Sequence, residues 1–163
     1  YTEGQQGRVW EGDFCVLGVE TSCDDTAAAV VHSDGRILGE SKRSQNELNQ
    51  KWGGVVPGLA RDAHQEAIEE VISEALSNAG MEAKQLGAVG VTMGPGLEIC
   101  LRVGFHAARD VAVSNELPFV CVHHLEAHVL TARQFSPELS FPFLVLLVSG
   151  GHCQVLLARG VGD

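Results

Sequence analysis

Residues 14–41 read FCVLGVETSCDDTAAAVVHSDGRILGES, and the fold is decided there. Phe14 to Val19 is a short apolar run bounded by small and polar residues, the pattern of a buried strand. Thr26 to His32 is a second run of the same kind. Asp34-Gly35 supplies hairpin turn chemistry, because both residues tolerate the conformations a tight turn requires, and Arg36 to Ser41 returns as a third strand. Three successive strands therefore open the domain.

Downstream the apolar period changes. From Leu59 onward, Ala60, Ala63, Ala67, Ile68, Val71, Ile72, Ala75, Leu76 and Ala79 recur at helical spacing, and Gly80 stands where a helix C-cap glycine belongs. Ala88 to Met93 reads as a strand, Ile99 to Val113 as a helix, Phe119 to Val122 as a strand and Leu125 to Arg133 as a short helix. A last strand pair, Phe143 to Val148 and Cys153 to Ala158, flanks Ser149-Gly150-Gly151-His152. An antiparallel meander extended by strand–helix–strand crossovers is an α/β layout. It resembles one ribonuclease-H-like lobe of the sugar kinase, Hsp70 and actin superfamily. Residues 1–13 read as a polar, Gly-rich extension and 14–163 as the first lobe. The expectation is that the second lobe lies outside this chain, which stops shortly after a strand-like segment as if cut at its C-terminal end.

Composition narrows the function classes. A chain of 163 residues can bury a substantial core, and it contains no apolar run near the ~20 residues of a membrane span. Twenty-one acidic against 11 basic residues leave a net charge of -10, the reverse of the basic footprint of a protein that holds nucleic acid by itself. Any RNA contact needs a local patch, another lobe or a partner. Cys15, Cys23, Cys100, Cys121 and Cys153 form no C-x-x-C pair, so they read as reduced core thiols and not as a zinc ribbon or redox motif. The first residues carry neither a secretory h-region nor an Arg-rich transit pattern.

Four segments could carry chemistry. Leu17-Gly18-Val19-Glu20-Thr21-Ser22-Cys23-Asp24-Asp25-Thr26 places small hydroxyl and acidic groups directly after a buried strand, where they can meet a phosphate or a hydrated metal, or Asp24 and Asp25 simply fill a polar turn. Gly94-Pro95-Gly96-Leu97 is a tight turn between strand and helix, a ligand position in open sheets and also an ordinary chain reversal. Glu98 and Arg102, four residues apart on the following helix, read as a surface pair. In His123-His124-Leu125-Glu126-Ala127-His128, His124 and His128 lie one turn apart on one helical face and can aim ring nitrogens at a single metal. The other possibility is a pair of solvated or capping imidazoles. A metalloprotease would place its general base beside the first histidine, whereas Glu126 lies about 200° around the helix from His124. Ser149-Gly150-Gly151-His152 permits close approach of backbone to a ligand, or a glycine hairpin.

Taken together, Gly18 to Thr26, Gly53 to Pro57, Gly94 to Leu97, His123 to His128 and Leu146 to His152 resemble, in order and spacing, the motifs of the TsaD family. That family joins a threonylcarbamoyl group to tRNA. The resemblance covers nearly all of the chain from Phe14. Asp24 to Val31, and Cys153 where other branches have Thr, are similar to the mitochondrial branch. The resemblance implies a tRNA N6-adenosine threonylcarbamoyltransferase that takes its acyl group from threonylcarbamoyl-AMP. It implies His124 and His128 as ligands of one divalent metal ion, zinc or iron, completed by an aspartate of the second lobe. Leu147, Val148, Ser149, Gly150 and Gly151 would line the donor site. It further implies a mitochondrial homodimer with tRNA as partner; no membrane association is expected, from the lack of a long apolar run. Catalytic residues in the narrow sense are not assigned. Pro57 to His64 departs from the family's P-E-x-A-S-R-x-H at Gly58 and in the place of Arg61. Glu98, Cys100 and Arg102 replace small residues after the G-P-G-L turn, which puts close packing there in question. Two other classes stay open, a metalloprotease-like metal-binding protein and a catalytically inactive binding or dimerisation module.

Overall fold

The computed structural model describes residues 12–136, 138–148 and 153–162. Strand β1, Cys15–Glu20, alternates as its sequence requires: Cys15, Leu17 and Val19 are buried on one face, while Val16, Gly18 and Glu20 look to the other. β2, Asp25–His32, and β3, Ile37–Ser44, complete the antiparallel meander. A short helix, α1 at Asn46–Trp52, then leads to the long helix α2, Pro57–Ala79. Proline at its first turn lacks an N–H that would go unpaired anyway. At its end Gly80 takes φ 65°, and its N–H closes on the Leu76 and Ser77 carbonyls, the cap expected from the sequence.

β4, Ala88–Gly94, returns parallel to β1 with Val19 opposite Val91; α3, Glu98–Ser114, and β5, Phe119–His123, repeat the crossover. The sheet order is β3-β2-β1-β4-β5. Helices α2 and α3 share one face, where Leu17, Val30, Ile68, Val71, Val89 and Ala108 close the core. Helix α4, His124–Phe135, runs over the opposite face, with Ala127 and Thr131 along a groove floored by Val16, Gly18 and Val122.

Two differences from the sequence reading have physical causes. Helix α1 has no buried residue and no apolar period, so hydrophobic patterning could not reveal it. The final strands, β6 at Phe143–Val148 and β7 at Cys153–Ala158, do pair, but as a separate two-stranded sheet. Leu144, Leu146, Val148, Val155 and Leu157 are therefore 55–73% exposed. The thiols also differ from expectation. All five cysteines are free, but only Cys15 and Cys100 are core; Cys23, Cys121 and Cys153 are exposed, on a turn, the edge strand β5 and the outlying hairpin.

Candidate functional site

Three of the chemistry-bearing segments meet at the carboxyl ends of β1, β4 and β5. The Leu97 N–H donates to the Ser22 carbonyl at 2.8 Å, which joins the turn after β4 to the turn after β1. Gly96 is required there, since a Cβ would stand 2.6 Å from the Ser22 carbonyl oxygen. Thr21, fully buried, donates its hydroxyl to the Cys100 carbonyl at 2.9 Å and accepts from the Gly104 N–H at 3.2 Å. These are the two groups that pair with each other in a regular helix, so the hydroxyl is seated in the ladder of α3. A Cβ on Gly104 would lie 2.4 Å from it. The close packing questioned at the sequence level is present, carried by Gly96, Gly104 and the buried Cys100, while Glu98 and Arg102 form an exposed pair at 2.8 Å.

The turn itself is held by His64 of α2. Its Nε2 lies 3.0 Å from the Cys23 carbonyl, which can only accept, so Nε2 carries the proton; the Thr26 hydroxyl stands 2.7 Å from Nδ1 and donates to it. Asp24 accepts from the Asn49 amide of α1 at 3.0 Å and Asp25 pairs with Lys42 at 3.1 Å. Both carboxylates are thus engaged in folding the turn. Partial desolvation by its surroundings and the neighbouring Asp24 push the Cys23 thiol up, which removes it as a ready thiolate.

At the centre, His124 and His128 face each other with Nε2 atoms 3.2 Å apart. Two imidazole nitrogens bound to one ion at ~2.0–2.1 Å stand about 2.9–3.4 Å apart, so the pair fits a shared metal. Among the described residues no group of three or more His, Cys, Asp or Glu side chains could hold an ion, so any shared ion would need ligands beyond this pair. Glu126 does not join it. Its carboxylate accepts from the Gly162 N–H at 2.6 Å. Leu147 and Val148 line a cleft together with Pro95, His124, Leu125 and His128. Ser149, Gly150 and Gly151 lie outside the described residues.

Sequence reasoning did not single out Glu20. The Ser22 N–H donates to its Oε1 at 2.5 Å, the Thr92 hydroxyl donates to Oε2, and His124 Nδ1 lies 3.4 Å from the same Oε2. Burial works to raise its pKa, but the Ser22 and Thr92 hydrogen bonds and nearby His124 outweigh it and hold the carboxyl below the usual range. The available signal was parity: Glu20 ends an apolar strand on the face away from the core.

The sheet order, with the site at the carboxyl ends of the parallel strands, defines an α/β lobe with a ribonuclease-H-like fold. Solved structures agree on the fold. YeaZ from Pseudomonas aeruginosa superposes with a TM-score of 0.58 at 17% identity, covering 88% of this chain and 64% of that one. A ROK family glucokinase from Streptomyces griseus gives 0.54 at 18%, covering 90% and 45%. Residues 36–163 match the TsaD family, tRNA N6-adenosine threonylcarbamoyltransferase, and the chain belongs to it. A human protein named tRNA N6-adenosine threonylcarbamoyltransferase, mitochondrial, is 48% identical over 148 residues, 91% of this chain and 36% of its own length. An Arabidopsis thaliana relative, named with the prefix "Probable", is 52% identical over 154 residues, 94% of this chain and 32% of its own. The chain spans about a third of the length of these relatives.

Proposed function

We propose that the whole protein transfers a threonylcarbamoyl group from threonylcarbamoyl-AMP to an adenosine beside the tRNA anticodon, in mitochondria and as a homodimer. Family membership and the mitochondrial relatives' names support the reaction and the place; the donor and the homodimer rest on the motif resemblance. This chain supplies two ligands, His124 and His128, for one divalent ion, zinc or iron, and Leu147 to Gly151 as a wall of the donor site. The observation that carries the reading is the 3.2 Å approach of the two Nε2 atoms beside the cleft that holds Leu147 and Val148. When bound, the ion offers Lewis-acid stabilisation to oxygens of the acyl donor. The histidines fix where that charge is met, and the apolar strand end keeps water from the acyl group.

Further ligands and the basic surface that tRNA needs come from the rest of the protein, since this chain has a net charge of -10. The apolar side chains exposed on β6 and β7 pack against it. Proteolysis is disfavoured by Glu126, whose carboxylate is turned to Gly162 and away from the histidine pair. No helix among the described residues is long and apolar enough to cross a membrane. The test is nucleoside mass spectrometry of unmodified tRNA incubated with the full-length protein, threonylcarbamoyl-AMP and zinc or iron(II). Threonylcarbamoyladenosine is expected from the wild type and only at background level from His128→Ala. No product from the wild type with either metal contradicts the reading.

A further inference from the structure

The environment of His124 is asymmetric in a way that decides which ring nitrogen carries its proton. On one side Nε2 faces the His128 Nε2 at 3.2 Å. On the other, Nδ1 is 3.4 Å from Glu20 Oε2 and 3.2 Å from the Ser22 hydroxyl. A serine hydroxyl rotates to accept or to donate, so Ser22 serves either tautomer. An ionised carboxylate only accepts. Glu20 cannot swing aside, because its Oε1 is held by the Ser22 N–H at 2.5 Å and its Oε2 by the Thr92 hydroxyl from the adjacent strand. The register that sets Val19 beside Val91 brings β1 and β4 together one residue before this pair.

We infer that Glu20 is a positioning residue for the His124 ligand: by accepting from Nδ1–H it fixes the tautomer whose Nε2 lone pair points at His128. The inference rests on the proposed metal site and adds to it a residue that acts through His124, with Thr92 as its own support. A carboxylate behind a ligating imidazole also raises the ring's basicity, and loss of such a partner costs roughly 10–100-fold in metal affinity.

The geometry makes an isosteric replacement informative. In Glu20→Gln, the Ser22 backbone N–H can only donate, so it demands the amide oxygen at the Oε1 position. The NH2 group is then forced to the Oε2 position, facing Thr92, whose hydroxyl can reverse, and His124 Nδ1, which must become the acceptor. The His124 proton moves to Nε2 and points at His128.

The experiment uses the full-length protein with 15N-histidine labelling. Long-range 15N–1H spectra of the metal-free protein, with His124 assigned by its loss in His124→Gln, report the tautomer; chelator competition reports zinc affinity. The expected result is Nδ1–H in the wild type, Nε2–H in Glu20→Gln, and zinc binding about 10–100-fold weaker in the variant. Thr92→Val should weaken zinc binding in the same direction and less. If Glu20→Gln keeps the wild-type His124 signals and its zinc affinity within twofold, the inference is overturned. Should Glu20→Gln unfold, the wild-type tautomer decides: Nε2–H on His124 overturns the inference by itself. A wild type with Nδ1–H that binds no zinc or iron would instead overturn the metal reading and leave the positioning of the ring intact.

Discussion

His64 lies on α2 with no exposed surface, bonded at one ring nitrogen to the Cys23 carbonyl and at the other to the Thr26 hydroxyl. Truncation leaves a cavity and two buried polar groups unpaired. His64→Ala is therefore expected to cost about 2–4 kcal/mol in urea denaturation. A loss below ~0.5 kcal/mol would show that the turn folds without it. Gly96→Ala drives a methyl into the Ser22 carbonyl and should cost about 1–3 kcal/mol, with weaker zinc binding because Ser22 carries the contact to His124. Unchanged melting and unchanged metal affinity would contradict that link. At this scale the sequence was legible where partners are local. His124 and His128 announce themselves by being one turn apart, whereas Glu20 and His64 act on partners 104 and 41 positions away, which no spacing records.

At the scale of elements, patterning carried most of the fold. The alternation in β1 and the helical period in α2 each specify one buried face, and both faces are buried as read. Ile68, 1% exposed, packs from α2 into the core beneath β1 and β4. Ile68→Ala is expected to lose about 2–5 kcal/mol, measured by chemical denaturation; a change within ~0.5 kcal/mol would mean that this helix face is not core. Helix α1 was illegible because its stability comes from polar links, the Asn49 amide to Asp24 and the Gln45 amide to the Ala60 carbonyl, and from no apolar stripe. The hairpin β6–β7 was legible as two strands but not as a separate sheet, since strand pattern gives no strand partner.

Across the whole molecule, the five-stranded sheet with α2 and α3 holds the buried core, and β6 and β7 contribute almost nothing to it. A chain ended after Phe135 should thus unfold cooperatively within about 1 kcal/mol of the chain ended at Asp163. Loss of a cooperative transition would place part of the core in the hairpin. The motifs fixed the family because five of them share one order, yet the metal site proposed at the two imidazoles needs further ligands, which are not found among the described residues. As proposed, His124 and His128 jointly hold one functional ion while Glu126 does not. Elemental analysis of the purified full-length protein and its variants addresses it most directly. About one zinc or iron per chain is expected in the wild type and in Glu126→Gln, with a fall to background in both His124→Ala and His128→Ala. Full metal content retained in either histidine variant would contradict it.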